Sequence, residues 1–100
     1  MEKGEAPYFL KKIADAEFYE GMTVKFTACV GGVPEPEFHW FKDDMRVYPG
    51  ARISMENSDS GLLRLIILKA GPQDLGTYTL KIFNKYGEDQ CKATCSIEGT

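Results

Sequence analysis

The stretch Asp74-Leu75-Gly76-Thr77-Tyr78-Thr79-Leu80-Lys81-Ile82-Phe83-Asn84 opens on a turn and then alternates without a break. Tyr78, Leu80 and Ile82 fall on one side, and Thr77, Thr79, Lys81 and Phe83 on the other. That is the period of a strand with one buried face. A second stretch, Gly21-Met22-Thr23-Val24-Lys25-Phe26-Thr27-Ala28-Cys29, has the same period. Val24, Phe26 and Ala28 share its apolar face, which leaves Cys29 on the polar one. Trp40 stands twelve residues after Ala28, inside the run Phe38-His39-Trp40-Phe41-Lys42. These faces place Ala28, Trp40 and Leu80 on the inward sides of their strands.

The rest of the chain reads as short strands divided by turn residues, the pattern of an all-β sandwich. Residues 7–13 suit a first edge strand, where Pro7 is tolerated. Residues 16–19 form a short second segment, and Glu20-Gly21 turns the chain into a strand over 22–30. Gly31-Gly32-Val33-Pro34-Glu35-Pro36-Glu37 reads as a loop, freed by two glycines and held extended by two prolines. Further strands are expected over 38–42, 45–47, 52–56, 62–68, 78–83 and 88–97. Asn57-Ser58-Asp59-Ser60-Gly61 and Asn84-Lys85-Tyr86-Gly87 supply turns, and a helical turn is expected only near Gln73. Alternation places Phe9, Phe18, Val24, Phe26, Ala28, Phe38, Trp40, Ile53, Met55, Leu63, Leu65, Ile67, Tyr78, Leu80, Ile82, Cys91, Ala93, Cys95 and Ile97 inward.

One hundred residues, 43% of them hydrophobic and 12% aromatic, exclude a disordered chain and suit one domain. That domain is expected over 7–97, between polar tails 1–6 and 98–100. The tails fit a natural terminus or a domain cut from a longer polypeptide, and the second is preferred. A net charge of −3 and no basic run longer than Lys11-Lys12 exclude nucleic acid and anionic membrane as partners. Cys91 and Cys95 are four residues apart on one strand. That is roughly 13 Å when extended, beyond the reach of a disulfide. The sequence holds no Asn-x-Ser/Thr sequon, no apolar leader and no membrane-length run. An intracellular location is therefore expected.

Taken in order, six pieces carry a family resemblance. They are Glu20-Gly21, Gly32-Val33-Pro34-Glu35-Pro36, Trp40-Phe41-Lys42-Asp43-Asp44, Arg52-Ile53, Asp74-Leu75-Gly76-Thr77-Tyr78 and Asn84-Lys85-Tyr86-Gly87-Glu88. The set resembles the intermediate-set (I-set) immunoglobulin domains of titin, twitchin, projectin and telokin. The resemblance covers residues 7–97 and implies an immunoglobulin-like β-sandwich of two antiparallel sheets. In that fold a corner tyrosine stands two residues ahead of the second disulfide cysteine. Tyr78 takes the corner place, and Leu80 and Ala28 take the places of the two cysteines. The inter-sheet disulfide is thus expected to be missing. The resemblance also implies an Arg52–Asp74 ion pair beneath the sandwich and a Tyr78 hydroxyl bonded to backbone near Asp74.

By the same resemblance the chain is a non-enzymatic module of a muscle or cytoskeletal filament protein, a mechanical spacer and docking surface. Cytoplasm, at the sarcomere or cytoskeleton, is the implied location. Implied partners are neighbouring immunoglobulin or fibronectin-type domains and other sarcomeric proteins, with the isolated domain a monomer. Two other readings stand beside it. One is a regulatory appendage of a titin-like or myosin light chain kinase. The other, an extracellular adhesion or receptor domain, is opposed by the missing cysteine pair and sequon.

No catalytic, metal or cofactor constellation emerges from the residues. His39 is the one histidine and lacks converging partners, so a solvated side chain is expected. Cys91 and Cys95 suit a core as small hydrophobes, and Cys29 suits an exposed reduced thiol. Glu35 and Glu37 stand at one end of a strand and Asp43 and Asp44 at the other, so they should not converge. Ser58 and Ser60 are explained as turn residues. Two outward apolar pairs are left as candidate protein-interaction residues. Phe41 and Phe83 share a face with His39, Thr79, Lys81 and Lys92, while Ile66 and Leu68 lie beside Lys25, Thr27 and Cys29.

Overall fold

Across residues 4–98, which the computed structural model describes, the alternating segments form nine strands. They are β1 (Glu5–Lys11), β2 (Ala16–Phe18), β3 (Val24–Val33), β4 (Glu37–Lys42) and β5 (Met45–Arg46), then β6 (Ile53–Asn57), β7 (Leu62–Ile67), β8 (Gly76–Asn84) and β9 (Gly87–Ile97). A 3₁₀ turn over Pro72–Asp74 precedes β8. One sheet has the order β1-β3-β7-β6 and the other β2-β9-β8-β4-β5. Neighbours are antiparallel except β2 and β9, which run parallel with Ala16 opposite Cys95 and Phe18 opposite Ile97. The second sheet is therefore mixed rather than purely antiparallel. After leaving the first sheet at Lys11 the chain crosses between layers and continues forward, so it meets β9 alongside.

Register puts like faces together, and burial follows. Val24, Phe26 and Ala28 lie opposite Ile67, Leu65 and Leu63 in the first sheet. Trp40 lies opposite Leu80 in the second, which in turn faces Cys91. Ala28, Trp40 and Leu80 are each 0% exposed. A fully buried leucine such as Leu80 contributes about 1.5–3 kcal/mol of transfer free energy. Cys29 points the other way but is half-buried, between Lys11 on β1 and Leu62 on β7. It is a shielded thiol, not the exposed one expected. All three cysteines are free.

Most of the differences from expectation come from contact with another part of the chain. Strand β3 runs on through Gly31-Gly32-Val33, which local composition assigns to a loop. There β1 supplies the pairing, with Tyr8 opposite Gly31 and Glu5 opposite Val33. The Tyr8 ring occupies the space that a Gly31 side chain would need, so glycine serves close packing here. Ile13, Val30 and Ala70 join the core although none was expected inside; Val30 simply continues the alternation of Val24, Phe26 and Ala28. Ala70 lies beyond β7, held by its N–H donating to the Met22 carbonyl and its own carbonyl accepting from Gly21, both at 2.8 Å.

The corner before β8 is built on a buried carboxylate. Asp74, 4% exposed, accepts from the Gly71 N–H at 3.0 Å and from two Arg52 nitrogens at 3.0 and 3.3 Å. Arg52 also donates to the Leu68 carbonyl at 3.1 Å, and the Tyr78 hydroxyl donates to the Asp74 carbonyl at 2.8 Å. Asp74→Ala is expected to cost about 1–3 kcal/mol, because the buried Gly71 N–H loses its acceptor. Tyr78→Phe should cost less, about 0.5–1.5 kcal/mol for one neutral bond. Urea midpoints at unchanged slope compare the two. A larger loss for Tyr78→Phe would place the tie in the tyrosine and not in the carboxylate.

Candidate protein-interaction site

The outer face of the second sheet gathers the residues that alternate away from the core. Strand β4 contributes Glu37, His39 and Phe41, and β8 contributes Thr79, Lys81 and Phe83. Register sets Glu37 opposite Phe83, His39 opposite Lys81 and Phe41 opposite Thr79. Phe41 and Phe83 are thus not direct cross-strand neighbours. His39 bridges them, with ring centroids 5.0 Å from Phe83 and 6.3 Å from Phe41 at interplanar angles of 66° and 70°. Edge-to-face contacts of this kind favour such aromatic pairs beyond their buried area. His39 is accordingly a surface side chain, as expected, but half-buried in a row of rings.

Burial pushes the His39 imidazole below its ordinary range, and the nearby Arg46 cation adds to the effect. Glu37 opposes this and Lys81 reinforces it. The shift favours the neutral ring, which presents an aromatic surface.

A groove of about 570 Å³ runs over this row, lined by His39, Phe41, Lys81, Phe83 and the β8–β9 turn through Glu88. The turn's part was missed in the sequence, where Asn84-Lys85-Tyr86-Gly87 reads only as punctuation. An aromatic in a four-residue turn was the available signal. Asn84 fixes the turn: its side-chain amide donates to the Glu5 and Pro34 carbonyls at 2.8 and 3.0 Å, and its oxygen accepts from the Tyr86 N–H at 2.8 Å. The Tyr86 ring lies against Gly4, where any side chain would collide with it.

The second candidate pair lies on the other sheet. Ile66 is half-buried between Lys25 on β3 and Ser54 on β6, and Leu68 is 40% exposed past the end of β7. The acidic pairs stay apart at the two ends of β4. Asp43 is engaged across the sheet end, accepting from the Thr77 N–H at 3.0 Å. Among the described residues no cluster of three His, Cys, Asp or Glu side chains is placed to hold a metal ion. Burial pushes the Cys91 and Cys95 thiols up, which disfavours the reactive thiolate.

Comparison with known proteins agrees with this architecture. The sequence model for the Immunoglobulin I-set domain matches residues 7–97. Telokin from Meleagris gallopavo is 36% identical over 92 residues, covering 92% of this chain and 60% of telokin. Smooth-muscle myosin light chain kinase from Gallus gallus is 35% identical over 92 residues, covering 92% of this chain and 5% of the kinase. The chain thus spans less than two thirds of the length of either relative. Among solved structures, the titin M3 domain superposes with a TM-score of 0.90 at 30% identity, covering 95% of this chain and 99% of that domain. Sandwich topology, buried Trp40, corner Tyr78 and a family match over nearly the whole chain together make this protein a member of the immunoglobulin I-set domain family.

Proposed function

We propose that the chain is a non-enzymatic module of a muscle or cytoskeletal filament protein, located in the cytoplasm. It spaces neighbouring domains and docks a protein partner on the outer face of β4, β8 and β9. The observation that carries the docking role is the row Phe41–His39–Phe83, three rings outside the core along an open groove. Aromatic anchors in desolvated pockets carry most of the binding energy at interfaces. Topology supports the spacer role. The chain comes in beside Asn84, where β9 begins, and leaves where β9 ends, at Ile97. Eleven strand residues separate these points by roughly 36 Å. Parallel pairing of β2 with β9, extended by the Glu98 N–H donating to the Phe18 carbonyl at 2.7 Å, ties the two terminal segments directly. A pull along the long axis would load those backbone bonds together.

The 35% identity to a smooth-muscle kinase favours a second reading, a regulatory appendage beside a kinase core. Flanking sequence decides between them, since a kinase core would be visible next to residues 7–97. The docking role is tested by capture from muscle extract. Phe41→Ser with Phe83→Ser is expected to weaken capture about tenfold or more, the scale of a lost hot spot, with circular dichroism unchanged. Binding that survives this change but fails with Ile66→Ser and Leu68→Ser would move the docking face to the opposite sheet. Capture by neither form would leave the spacer role alone.

A further inference from the structure

We propose that the groove takes an extended acidic protein segment, with an apolar or aromatic side chain seated on His39, Phe41 and Phe83 and carboxylates directed at Lys81, Lys85 and Arg46. This rests on the docking reading above and adds the chemistry of the partner.

The charge pattern of the face runs against that of the chain. Overall the chain carries −3, yet the groove lining holds two lysines against one glutamate, and the adjacent Arg46 and Glu37 leave cations in excess. Two of these cations are held by rings and not by acids. Lys85 Nζ sits 5.4 Å over the Tyr86 ring and the Arg46 guanidinium 5.1 Å over Tyr48. Among the described residues the ion pairs join Arg52 to Asp74, Arg64 to Glu56 and Lys81 to Glu88, so within them neither Lys85 nor Arg46 is paired with an acid. A ring positions a cation while leaving its charge available. The Lys81–Glu88 contact, at 3.1 Å with side chains 37% and 62% exposed, is a surface pair of the kind that contributes little. A partner carboxylate can take Glu88's place at small cost. Complementary charge of this sort sets specificity and association rate around an apolar anchor.

His39 reports on the same field from the centre of the groove. It is faced by Glu37 on its own strand, Arg46 on β5, Lys81 on β8 and Glu88 on β9, with Lys85 and Tyr86 on the turn above. Arg46 and Lys81 both disfavour the imidazolium. A bound carboxylate favours it, so binding raises the titration midpoint of His39. By linkage the acidic segment binds more tightly as pH falls through that range.

The chain's single histidine makes this an unambiguous magnetic resonance titration. Three synthetic peptides serve as probes, each with a central phenylalanine flanked by glutamates, by glutamines or by lysines. The glutamate peptide is expected to shift His39, Phe41 and Phe83 resonances, raise the His39 midpoint and bind about tenfold more tightly than the glutamine peptide. Added salt should erode that advantage, and Lys81→Gln with Lys85→Gln should abolish it. Equal binding of all three peptides in the groove would overturn the acidic preference while leaving the docking face intact. Groove resonances that move with protein concentration alone would assign the face to a second copy of this chain and overturn the proposal. No groove shift with any peptide overturns it too, and the paired phenylalanine substitutions then judge the docking face by themselves.

Discussion

Replacing Trp40 by alanine is expected to remove about 3–5 kcal/mol of stability, the cost of emptying a large aromatic site in a core that relaxes only in part. Trp40 is 0% exposed and sits between the layers, opposite Leu80 in the second sheet. A domain of this size has about 5–15 kcal/mol in total, so the variant should lie close to its unfolding transition. Trp40→Phe should be far milder, about 1 kcal/mol. The reason is that the indole Nε1 is buried without a protein acceptor among the described residues. A buried donor left unsatisfied costs about 1–3 kcal/mol, and phenylalanine removes it along with part of the ring. Urea midpoints of the two variants settle the matter. Losses of equal size would mean that the indole N–H has a bound partner, such as an internal water.

Leu80→Ala is expected to cost about 2–5 kcal/mol, because Leu80 is 0% exposed between Trp40 and Cys91 on the neighbouring strands. Cys29→Ser is its control. Cys29 faces away from the core between Lys11 and Leu62, half-buried. Its loss should stay within about 1 kcal/mol, as for substitutions outside the core. The Cys29 arm tests the register of β3, since a slip of one residue exchanges every inward side chain for an outward one. A loss at Cys29 as large as that at Leu80 would place the thiol, not Ala28, between the sheets.

Both predictions concern residues whose roles follow from a period of two. Tyr78, Leu80 and Ile82 stand inward in the structure, as do Val24, Phe26 and Ala28. Alternation is a local property, because successive side chains of any extended chain point to opposite sides. The family resemblance adds the order in which the strands are joined, and the sandwich topology agrees with it. The candidate site was legible in the same degree: Phe41 and Phe83 could be placed on an outward face, but not in relation to each other.

What the sequence by itself determined, then, is roughly where the strands lie, which side of each is buried, and that Ala28 and Leu80 occupy the core while Cys29 does not. Only the tertiary structure decided matters that depend on partners distant in the chain. Gly31–Val33 became strand because β1 offered hydrogen-bonding groups there, overriding the turn preference of two glycines. Ile13 and Ala70 became core because crossover and corner fold back over open ends of the sandwich, at positions with no period to mark them. His39 became the bridge between two phenylalanines, and Tyr86 a wall of the groove, through the β4–β8 register and the Asn84 bonds. Side-chain direction is set by the residue's own backbone, whereas neighbours across a sheet are set by strand order and register. The first is written locally, and the second exists only once the chain has closed on itself.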